Sequence, residues 1–401
     1  MLRSPFAFYR GAATVMAADL AETPTPGLRV QLCGDAHLSN FGVFSAPDRR
    51  LVFDCNDFDE TAPGPFEWDV KRLAASVAIA GRERGLRRPE RREATLASVS
   101  SYRGAMRQFA TMRDIDVWYA RIDVESRLAE FGEHLDAKHL QRIERGIAKA
   151  KSKDSLRALR KLTQPGEEGL RIVSDPPLIV PLEELAEVRD AESQLESLLA
   201  EYRSSLSDAH QHVADAYRYV HAARKVVGVG SVGTRAWILL LVGRDSDDPL
   251  FLQAKEAQAS VLEPYAGKSR FEHHGRRVVE GQRLMQAASD IFLGWVTASG
   301  ADALPRSFYV RQLWDGKGSA NLDVMSASEL GVYASLCGET LARAHARSGD
   351  RIAIATNLGG SGRFDEAIAD FAESYADQNE RDFEGVKRAA DEGRIAVEAG
   401  V

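Results

Sequence analysis

The sequence predicts an α+β protein with a large helical lobe and a small antiparallel β lobe. Helical periodicity dominates residues 66–224, the segment 225–315 carries the Val-, Gly- and Leu-rich runs that are typical of strands, and helical patterns return from residue 316 onward. The length of 401 residues allows two or three parts with their own cores. The pattern therefore favours two lobes assembled from separate stretches of one chain.

The individual elements follow from apolar spacing and from the positions of Gly and Pro. Pro65 favours a helix start because proline suits the first helical turn, whereas Gly, Pro and Asp favour a loop or small strands at 165–181. Helices are predicted at 6–20, 66–84, 94–113, 121–135, 138–161, 182–202, 208–223, 275–288, 330–347, 365–375 and 383–398. Strands are predicted at 28–32, 51–53, 225–242, 250–254, 291–297 and 307–312.

Four consecutive segments are expected to make up the two lobes. Residues 1–90 and 91–224 form the helical lobe, 225–315 forms the β lobe, and 316–401 returns to the helical lobe. The arginine-rich run 82–92 is interpreted as a solvated joint between helices.

Composition argues against several classes of protein. The net charge of −7 disfavours a dedicated nucleic-acid binder, because neutralising phosphates requires surplus Lys and Arg. No apolar run approaches a membrane span, and Arg10 and Asp19 interrupt the N-terminal apolar positions, unlike a signal peptide. Cys33, Cys55 and Cys337 form no C-x-x-C pair, so a reducing compartment, the cytoplasm, is expected. The oligomeric state stays open.

Two of the predicted strands end in acidic, polar loops. The first loop, after residue 32, and the second, after residue 53, offer oxygen-bearing side chains of the kind that Mg²⁺ prefers. Residues that only shape turns are the alternative, but a turn needs one or two of them. The candidate residues are Asp35, His37 and Asn40 in the first loop, and Asp54, Asn56, Asp57, Asp59 and Glu60 in the second.

A second group of candidate residues lies in the predicted β lobe. Gly228, Gly230 and Gly233 make a G-x-G-x-x-G between two strand-like runs, which favours a hairpin over nucleotide phosphates rather than a dinucleotide-binding turn. Lys255 lies in a strand whose other residues are predicted to be buried by their apolar pattern, and a buried lysine is costly unless it is paired. Glu280 in the following helix is the preferred partner. A lysine that covers apolar surface with its stem is the alternative.

Weaker partners for Lys255 are Glu263 and Glu272, whereas Glu256 points to the other face of the strand.

The acidic loops resemble known motifs. Gly34-Asp35-x-His37-x-x-Asn40 is similar to the catalytic loop H-G-D-x-H-x-x-N of the aminoglycoside-phosphotransferase branch of the protein-kinase-like superfamily. Asp57-Phe58 resembles the metal-binding Asp of that branch, and Asp69 resembles its structural Asp. The whole chain more closely resembles the bacterial domain-of-unknown-function family 2252, through segments that include SPFAFYRG, GDAHLSNFG, VGSVGTR and FYVRQLWDGKGS.

The sequence departs from the kinase pattern in two ways. Cys33 stands where the catalytic loop of that branch has His. The acidic loops also precede the β lobe, so the resemblance implies a circularly permuted, two-lobed kinase-like fold. Helix 330–347 then resembles the helix that leads into the catalytic loop, which would bring His345 and Asp350 near Asp35; the N-terminal helix is a rival for that position.

The resemblance implies that the chain uses ATP and Mg²⁺ and acts on an unidentified small-molecule acceptor. Asp35 would accept or orient the proton of an attacking hydroxyl. Asn40 and Asp57 would hold Mg²⁺, and Lys255, kept in place by Glu280, would bind phosphate oxygens.

Other residues have roles that the resemblance implies or leaves open. The three glycines would let backbone amides approach the phosphates, and Gln312 and Leu313 would meet the base. Asp59 and Glu60 would be further metal ligands or would bind a cationic substrate. Arg311 and Lys317 are interpreted as solvated rather than as anion ligands, and His37 as a packed, hydrogen-bonded residue rather than a ligand or substrate contact.

The leading interpretation of the sequence is a phosphotransferase, and three other functions compete with it. AMP transfer would use the same site. A nucleotide-binding pseudokinase would bind without turnover, although it would not need Asp35, Asn40, Asp57 and Lys255 together. A metal-dependent hydrolase would use the acidic loops but would not need Lys255.

Overall fold

The computed structural model describes residues 1–131, 137–152, 155–166, 169–185, 191–226, 234–299, 304–313 and 316–397. Its helices and strands form a mixed α+β architecture with antiparallel sheets, as the sequence predicts. The helices are α1 (Pro5–Gly11), α2 (Ala13–Ala21), α3 (Phe66–Glu83), α4 (Arg88–Ala110), α5 (Asp114–Tyr119), α6 (Val124–Phe131), α7 (Ala137–Lys151), α8 (Ser155–Leu162), α9 (Ala191–Ser204), α10 (Asp208–Asp215), α11 (Glu263–Ala266), α12 (His274–Met285), α13 (Ala327–Ser348), α14 (Arg351–Leu358) and α15 (Arg363–Asp391).

The strands of the described residues belong to one large and three small sheets. They are β1 (Arg29–Leu32), β2 (Phe41–Ser45), β3 (Leu51–Cys55), β4 (Ala62–Pro65), β5 (Ile122–Asp123), β6 (Thr163–Gly166), β7 (Gly169–Ile172), β8 (Ile179–Pro181), β9 (Arg218–Lys225), β10 (Ala236–Val242), β11 (Pro249–Ala257), β12 (Gly294–Ser299) and β13 (Pro305–Gln312).

The large sheet has six strands in the order β12-β13-β11-β10-β9-β8, all antiparallel. Side chains alternate between its two faces. One face carries Leu239, Leu250 and Leu252 and packs with residues of α9. The other carries Ile238, Leu240 and Phe251. Lys255 follows Phe251 by four residues in β11, so the register places it on this second face.

The helical lobe is built around one large core, in which α3 is the central helix. Pro65 precedes α3, and all but three of its eighteen residues are buried. α13 begins with a capping box formed by Ser326 and Glu329, which satisfies backbone amides at the helix start. The C-terminal end of α13 meets β1, where the Ser348 hydroxyl accepts a hydrogen bond from the Gln31 amide. The first acidic loop therefore begins beside this helix end.

Two small antiparallel sheets position the acidic loops. β1 pairs with β4, and β2 pairs with β3, whose other neighbour is β5. The predicted strands 28–32 and 51–53 are confirmed as β1 and β3. The pairing of β2 with β3 brings the end of the first loop beside the start of the second, because Phe41 lies opposite Cys55.

Several predicted boundaries are wrong. The predicted helix 208–223 ends as α10, and β9 follows it, so the β lobe includes β8 and β9 as well as residues after 225. The helices predicted at 365–375 and 383–398 are one helix, α15. The helix predicted at 6–20 is divided at Ala12 into α1 and α2.

The arginine-rich run 82–92 connects α3 to α4 and includes exposed residues, as predicted, but three of its arginines are ion-paired. Arg82 and Arg91 both bind Glu373 of α15 at 3.0 Å, and Arg92 binds Asp370 at 2.6 Å. The run therefore fastens α3 and α4 to the C-terminal helix. Among the described residues, no helix is both long and apolar enough to cross a membrane.

Candidate functional site

The backbone of the first acidic loop is held by Asp69 in the first turn of α3. Its carboxylate accepts hydrogen bonds from the amides of Cys33, at 2.8 Å, and Gly34, at 3.2 Å. Gly34 has φ of +89°, and a Cβ at this position would lie 2.2 Å from the carbonyl oxygen of Glu60. The predicted structural role of Asp69 is confirmed, and the close approach at Gly34 joins the two acidic loops.

His345 of α13 completes this arrangement. Its Nε2 lies 3.3 Å from the Asp69 carboxylate, and its Nδ1 lies 2.9 Å from the Tyr102 hydroxyl. His345 is fully buried, and through Asp69 it reaches the loop that begins at Cys33. The prediction that His345 lies close to the Asp35 loop is thus supported, whereas Asp350 caps α14 through the amides of Ile352 and Ala353.

Asp35 is oriented by a buried arginine. Arg72 of α3 donates to Asp35 Oδ1 from Nε and lies within 2.8 Å of it through both Nε and Nη2. The same guanidinium lies over the Tyr9 ring, 3.9 Å from its centroid, and donates to the Tyr9 carbonyl at 2.7 Å. The Asp35 side chain remains 19% exposed, so the carboxylate is fixed in position and still reachable.

Asn40 and His37 fix the remainder of the first loop. The Asn40 side-chain amide donates to the Asp35 carbonyl at 2.8 Å, which leaves its amide oxygen for another ligand. His37 is buried, and its Nδ1 accepts from the Ser39 amide. Burial lowers the pKa of His37 to about 4, with further lowering from Arg72. His37 is therefore a neutral, packed residue, as predicted.

The second loop brings two carboxylates to Lys255. Lys255 is buried and ion-paired with Asp59, and the Tyr309 hydroxyl donates to the other oxygen of Asp59 at 2.7 Å. Burial opposes the charge of Lys255, but Tyr309, Asp57 and Asp59 raise its pKa above the ordinary value. Burial likewise opposes the charge of Asp57, while Lys255 and Arg311 lower the pKa of that carboxyl.

The predicted Lys255–Glu280 pair is wrong. Among the described residues, Lys255 is paired with Asp59, and Glu280 contacts Arg283 of its own helix at 3.4 Å. Arg277, one turn earlier in α12, instead faces the second loop, where it donates to the carbonyls of Asp59 and Thr61 at 2.7 Å. The lysine thus obtains its counter-charge from the acidic loop rather than from the helix.

Asp54 lies in the same acidic segment, but its carboxylate has the buried, fully hydrogen-bonded surroundings of a structural residue. Its carboxylate is fully buried and accepts from Arg343 Nη2 at 2.5 Å and from the Ala287 amide at 2.8 Å. Both oxygens are therefore engaged, one by Arg343 of α13 and the other by Ala287, two residues after the end of α12. This environment argues against Asp54 as a metal ligand.

The donor set that fits Mg²⁺ consists of Asp57 and Asn40. Among the described residues, Asp57 Oδ1 accepts one long hydrogen bond, 3.2 Å, from the Asp59 amide. Asn40 is adjacent because its carbonyl accepts from the Asn56 amide at 2.9 Å. Mg²⁺ commonly takes one or two protein ligands and completes its shell with phosphates and water, so the absence of a cluster of three His, Cys, Asp or Glu among the described residues does not conflict with this pair.

Asp59 does not fit the metal role that the sequence predicts. Lys255 binds one of its oxygens and Tyr309 the other. Glu60 is also engaged, since it accepts from the Val261 amide at 2.7 Å. Burial raises the pKa of Glu60 to about 7.

The backbone amides of Gln312 and Leu313 do not support the predicted contacts with a nucleotide base, because both amides already donate hydrogen bonds within the protein. The Gln312 amide donates to Asp290 at 2.5 Å, and the Leu313 amide donates to the Phe251 carbonyl at 2.8 Å. The Leu313 side chain is buried in the core beneath the sheet. Gly228, Gly230 and Gly233 lie outside the described residues.

Helix α8 covers part of the sheet face that carries Lys255. Ala158 and Leu162 of this helix belong to the same buried cluster as Ile238, Leu240 and Phe251. These apolar contacts stabilise the packing of α8 against the sheet, because separating the helix from the sheet would expose the cluster to water. The apolar surface nearest Lys255 on this face is therefore occupied by the chain itself.

A cavity of 420 Å³ lies at the junction of the two lobes. Its lining includes the predicted residue Gln312, together with Asn56, Arg311 and Lys317. Arg311 and Lys317 are half-buried, so their interpretation as solvated surface residues is wrong. Burial and the neighbouring Arg311 charge lower the pKa of Lys317 to about 7.

Sequence reasoning missed Arg72 and Tyr309, which orient Asp35 and Asp59. A buried strand position opposite Lys255 would have indicated Tyr309, because cross-strand neighbours share a face. The sequence gives no such indication for Arg72, because an arginine at this position of a helix is equally compatible with a salt bridge at the surface and with one in the core.

A comparison with models of protein families identifies the family of this chain. The model of a bacterial family described as "Uncharacterized protein conserved in bacteria (DUF2252)" matches residues 1–389. No curated protein and no solved structure matches the chain significantly.

Proposed function

This chain belongs to the bacterial DUF2252 family, and we propose that it is an ATP- and Mg²⁺-dependent phosphotransferase that acts on a hydroxyl group of a small molecule. The observation that carries the proposal is the meeting of Lys255 with Asp59 and Asp57. The ion pair joins residues 196 positions apart in the sequence, and, against the effect of burial, the positive charge of Lys255 lowers the pKa of the nearby Asp57 carboxyl, which supports one site that includes both residues.

The order of the elements around Lys255 also supports the proposal. β11, which carries the lysine, is central in the six-stranded sheet, and α12 follows it and packs beside the acidic loop. A strand lysine near phosphates and a following helix are the arrangement of kinases. The end of α13 against β1 is what a circular permutation of that fold would require.

Each residue of the site has a role in this proposal. Asp57 and the Asn40 amide oxygen would hold Mg²⁺, which neutralises charge on the phosphates when bound. Lys255 would exchange part of its contact with Asp59 for a phosphate oxygen. The acceptor oxygen would form a bond to the terminal phosphorus as the bond to the ADP oxygen breaks, and its proton would pass to Asp35.

Arg72 keeps Asp35 correctly aimed in this scheme. The arginine is bound to Tyr9 as well as to Asp35, so its guanidinium cannot turn away without losing the cation–π contact and a hydrogen bond. Positioning of this kind is the main protein contribution to phosphoryl transfer, which needs little covalent chemistry from side chains.

The test is a product analysis. The purified chain is incubated with ATP, Mg²⁺ and a panel of sugars, aminoglycosides, nucleosides and polyols, and products are detected by mass spectrometry. A phosphorylated acceptor that disappears with Asp35→Asn, but not with the surface control Asp48→Asn, supports the proposal. An adenylylated product would show AMP transfer instead. Neither product, together with no nucleotide binding, would contradict both.

Nucleotide binding without transfer is the alternative that would use the same residues, and the packing of α8 bears on both functions. A site whose adjacent apolar face is filled by Ala158 and Leu162 would bind a nucleotide only in a rearranged state. Tight ATP binding with no product from any acceptor would select this function.

A further inference from the structure

Arg10 lies next to the residues that orient Asp35. It belongs to the last turn of α1 and directly follows Tyr9, whose carbonyl accepts a hydrogen bond from Arg72 at 2.7 Å. Arg72 in turn lies 2.8 Å from the Asp35 carboxylate. The Arg10 side chain therefore starts beside the group that aims the proposed base.

The Arg10 guanidinium has no partner of its own among the described residues. It forms no ion pair with them, and its Nε is buried without a hydrogen-bond acceptor. The residue as a whole is half-buried, unlike an arginine that is solvated on the surface. Leaving a buried donor without an acceptor costs free energy, and an anion bound to the guanidinium would remove that cost.

The charge of Arg10 reaches the first acidic loop. After burial, which is the main cause, Arg72 and Arg10 both lower the pKa of His37. His37 Nε2 lies 3.5 Å from Asp35 Oδ2. Because His37 is neutral, it gives Arg10 no counter-charge, and the guanidinium is close enough to Asp35 for one small molecule to contact both.

The carboxylates nearest this guanidinium are engaged by other cations. Arg72 binds Asp35, and Lys255 binds Asp59. Against the effect of burial, Lys255 also lowers the pKa of Asp57. The positive charge at the end of α1 is therefore left over when the described ion pairs of the two loops have formed.

The remaining carboxyls of the acidic segments, Glu60 and Asp54, also have partners. Glu60 accepts from the Val261 amide at 2.7 Å, and burial raises its pKa to about 7 while Arg277 opposes that rise. Asp54 is sealed in the core with Arg343. Neither carboxyl is available as the counter-charge of the α1 cation.

We propose that Arg10 binds an anionic group of the acceptor, so that the acceptor is a small molecule with a carboxylate or phosphate beside the hydroxyl that meets Asp35. This inference rests on the proposed phosphotransferase function and names its substrate class. Arg10 determines specificity in this scheme, because its planar fork of donors matches both kinds of anion.

Binding is tested first without nucleotide, by titration calorimetry with three probes that share one carbon skeleton. Glycerol 3-phosphate and glycerate combine hydroxyls with an anion and distinguish a phosphate from a carboxylate, whereas glycerol is uncharged. We expect at least one of the two anions to bind tenfold or more tightly than glycerol. Equal binding of glycerol, or no binding of either anion at millimolar concentration, would overturn the proposal.

Variants locate the anion. Arg10→Met should weaken its binding tenfold or more, and Arg10→Lys, which keeps the charge without the fork, should recover part of the loss. If urea denaturation shows Arg10→Met to be unstable, Arg10→Gln carries the same expectation. Arg3→Met is the matched control, because Arg3 is an exposed arginine of the same N-terminal segment. No loss in the Arg10 variants, or an equal loss in Arg3→Met, would refute the assignment.

Steady-state kinetics separates this role from a structural one. With an anionic acceptor, Arg10→Met should raise the KM for the acceptor tenfold or more and leave the KM for ATP unchanged. A fall in kcat alone would place the arginine at the phosphoryl group in transit and contradict the inference. Transfer to uncharged acceptors only would also contradict it, while leaving the phosphotransferase proposal intact. Anion binding that Arg10→Met abolishes, without transfer to any acceptor, would support the anion site and count against the phosphotransferase.

Discussion

Two ion pairs hold the acidic segment that begins at the end of β3, and they differ in what surrounds them. Asp54 and Arg343 are sealed in the core, with side chains 1% and 2% exposed. Asp59 and Lys255, five residues further on, lie beside Asp57 at the junction of the lobes, and the Asp59 side chain is 27% exposed. The same pairing of charges is therefore structural at one end of the segment and accessible to a ligand at the other.

The comparison shows that residue type does not decide the role of a carboxylate in this segment. Asp54 receives a guanidinium and a backbone amide, which use both its oxygens. Asp57 receives one long hydrogen bond and is surrounded by positive charge without an ion pair of its own among the described residues. Access and incomplete pairing, rather than acidity, distinguish the candidate ligand.

Breaking the sealed pair should have the largest effect. Arg343→Met leaves the Asp54 carboxylate buried without its counter-charge, which costs about 3–5 kcal/mol of unfolding free energy. Urea denaturation measures the loss, and the double variant Asp54→Asn/Arg343→Met should recover part of it. An Arg343→Met protein as stable as wild type would contradict the structural assignment of this pair.

Breaking the accessible pair should change binding more than stability. Lys255→Met removes a hydrogen bond to a charged group, worth about 1.5–3 kcal/mol, so ATP affinity should fall tenfold or more. Titration calorimetry gives the affinity, with Lys225→Met as the control lysine. If affinity is unchanged while stability falls as far as in Arg343→Met, Lys255 is a core residue only.

Glu60, at the end of the same segment, should make stability depend on pH. Its raised pKa means that the folded protein retains a proton which the unfolded chain releases near pH 4.5. This contribution is therefore complete below about pH 4.5 and is lost as pH rises through about 7, by about 1–2 kcal/mol after allowance for partial exposure. Urea midpoints of Glu60→Gln should fall less over this range than those of wild type; parallel pH profiles would contradict the assignment.

Breaking an exposed ion pair should have the smallest effect on stability. Arg113 and Asp116 form an i,i+3 contact at 2.6 Å on the surface of α5. Arg113→Ala should leave the urea midpoint unchanged within error, since exposed pairs contribute little. A clear loss of stability would show that exposure does not separate the structural pairs from the others.

Local patterns were enough to predict much of the fold. Pro65 and the apolar spacing after it located α3, and the short apolar runs located β1 and β3. β9 was missed because its alanines and charged residues suit a helix as well as a strand, and only pairing with β10 decides between them. The division of α15 failed because polar residues within a long helix resemble a break.

The candidate site was predictable in its residue types but not in its partners. Asp35, Asn40, Asp57 and Lys255 follow from motif and burial pattern. Lys255 pairs with Asp59 rather than Glu280 because α12 turns Arg277, and not Glu280, toward the acidic loop. No local sequence pattern specifies the rotation of a helix about its own axis. Arg311 and Lys317 were misjudged for the same reason, because their burial comes from distant segments.

The central claim is that Asp57 and Lys255 form one site for a nucleotide with Mg²⁺. A thermal-shift titration of ATP, with and without Mg²⁺, on wild type and Asp57→Asn tests it most directly, because a ligand of the native state raises the melting temperature. The account predicts a Mg²⁺-dependent rise in wild type that is largely lost in Asp57→Asn. An equal rise in both proteins, or none in wild type, would contradict it.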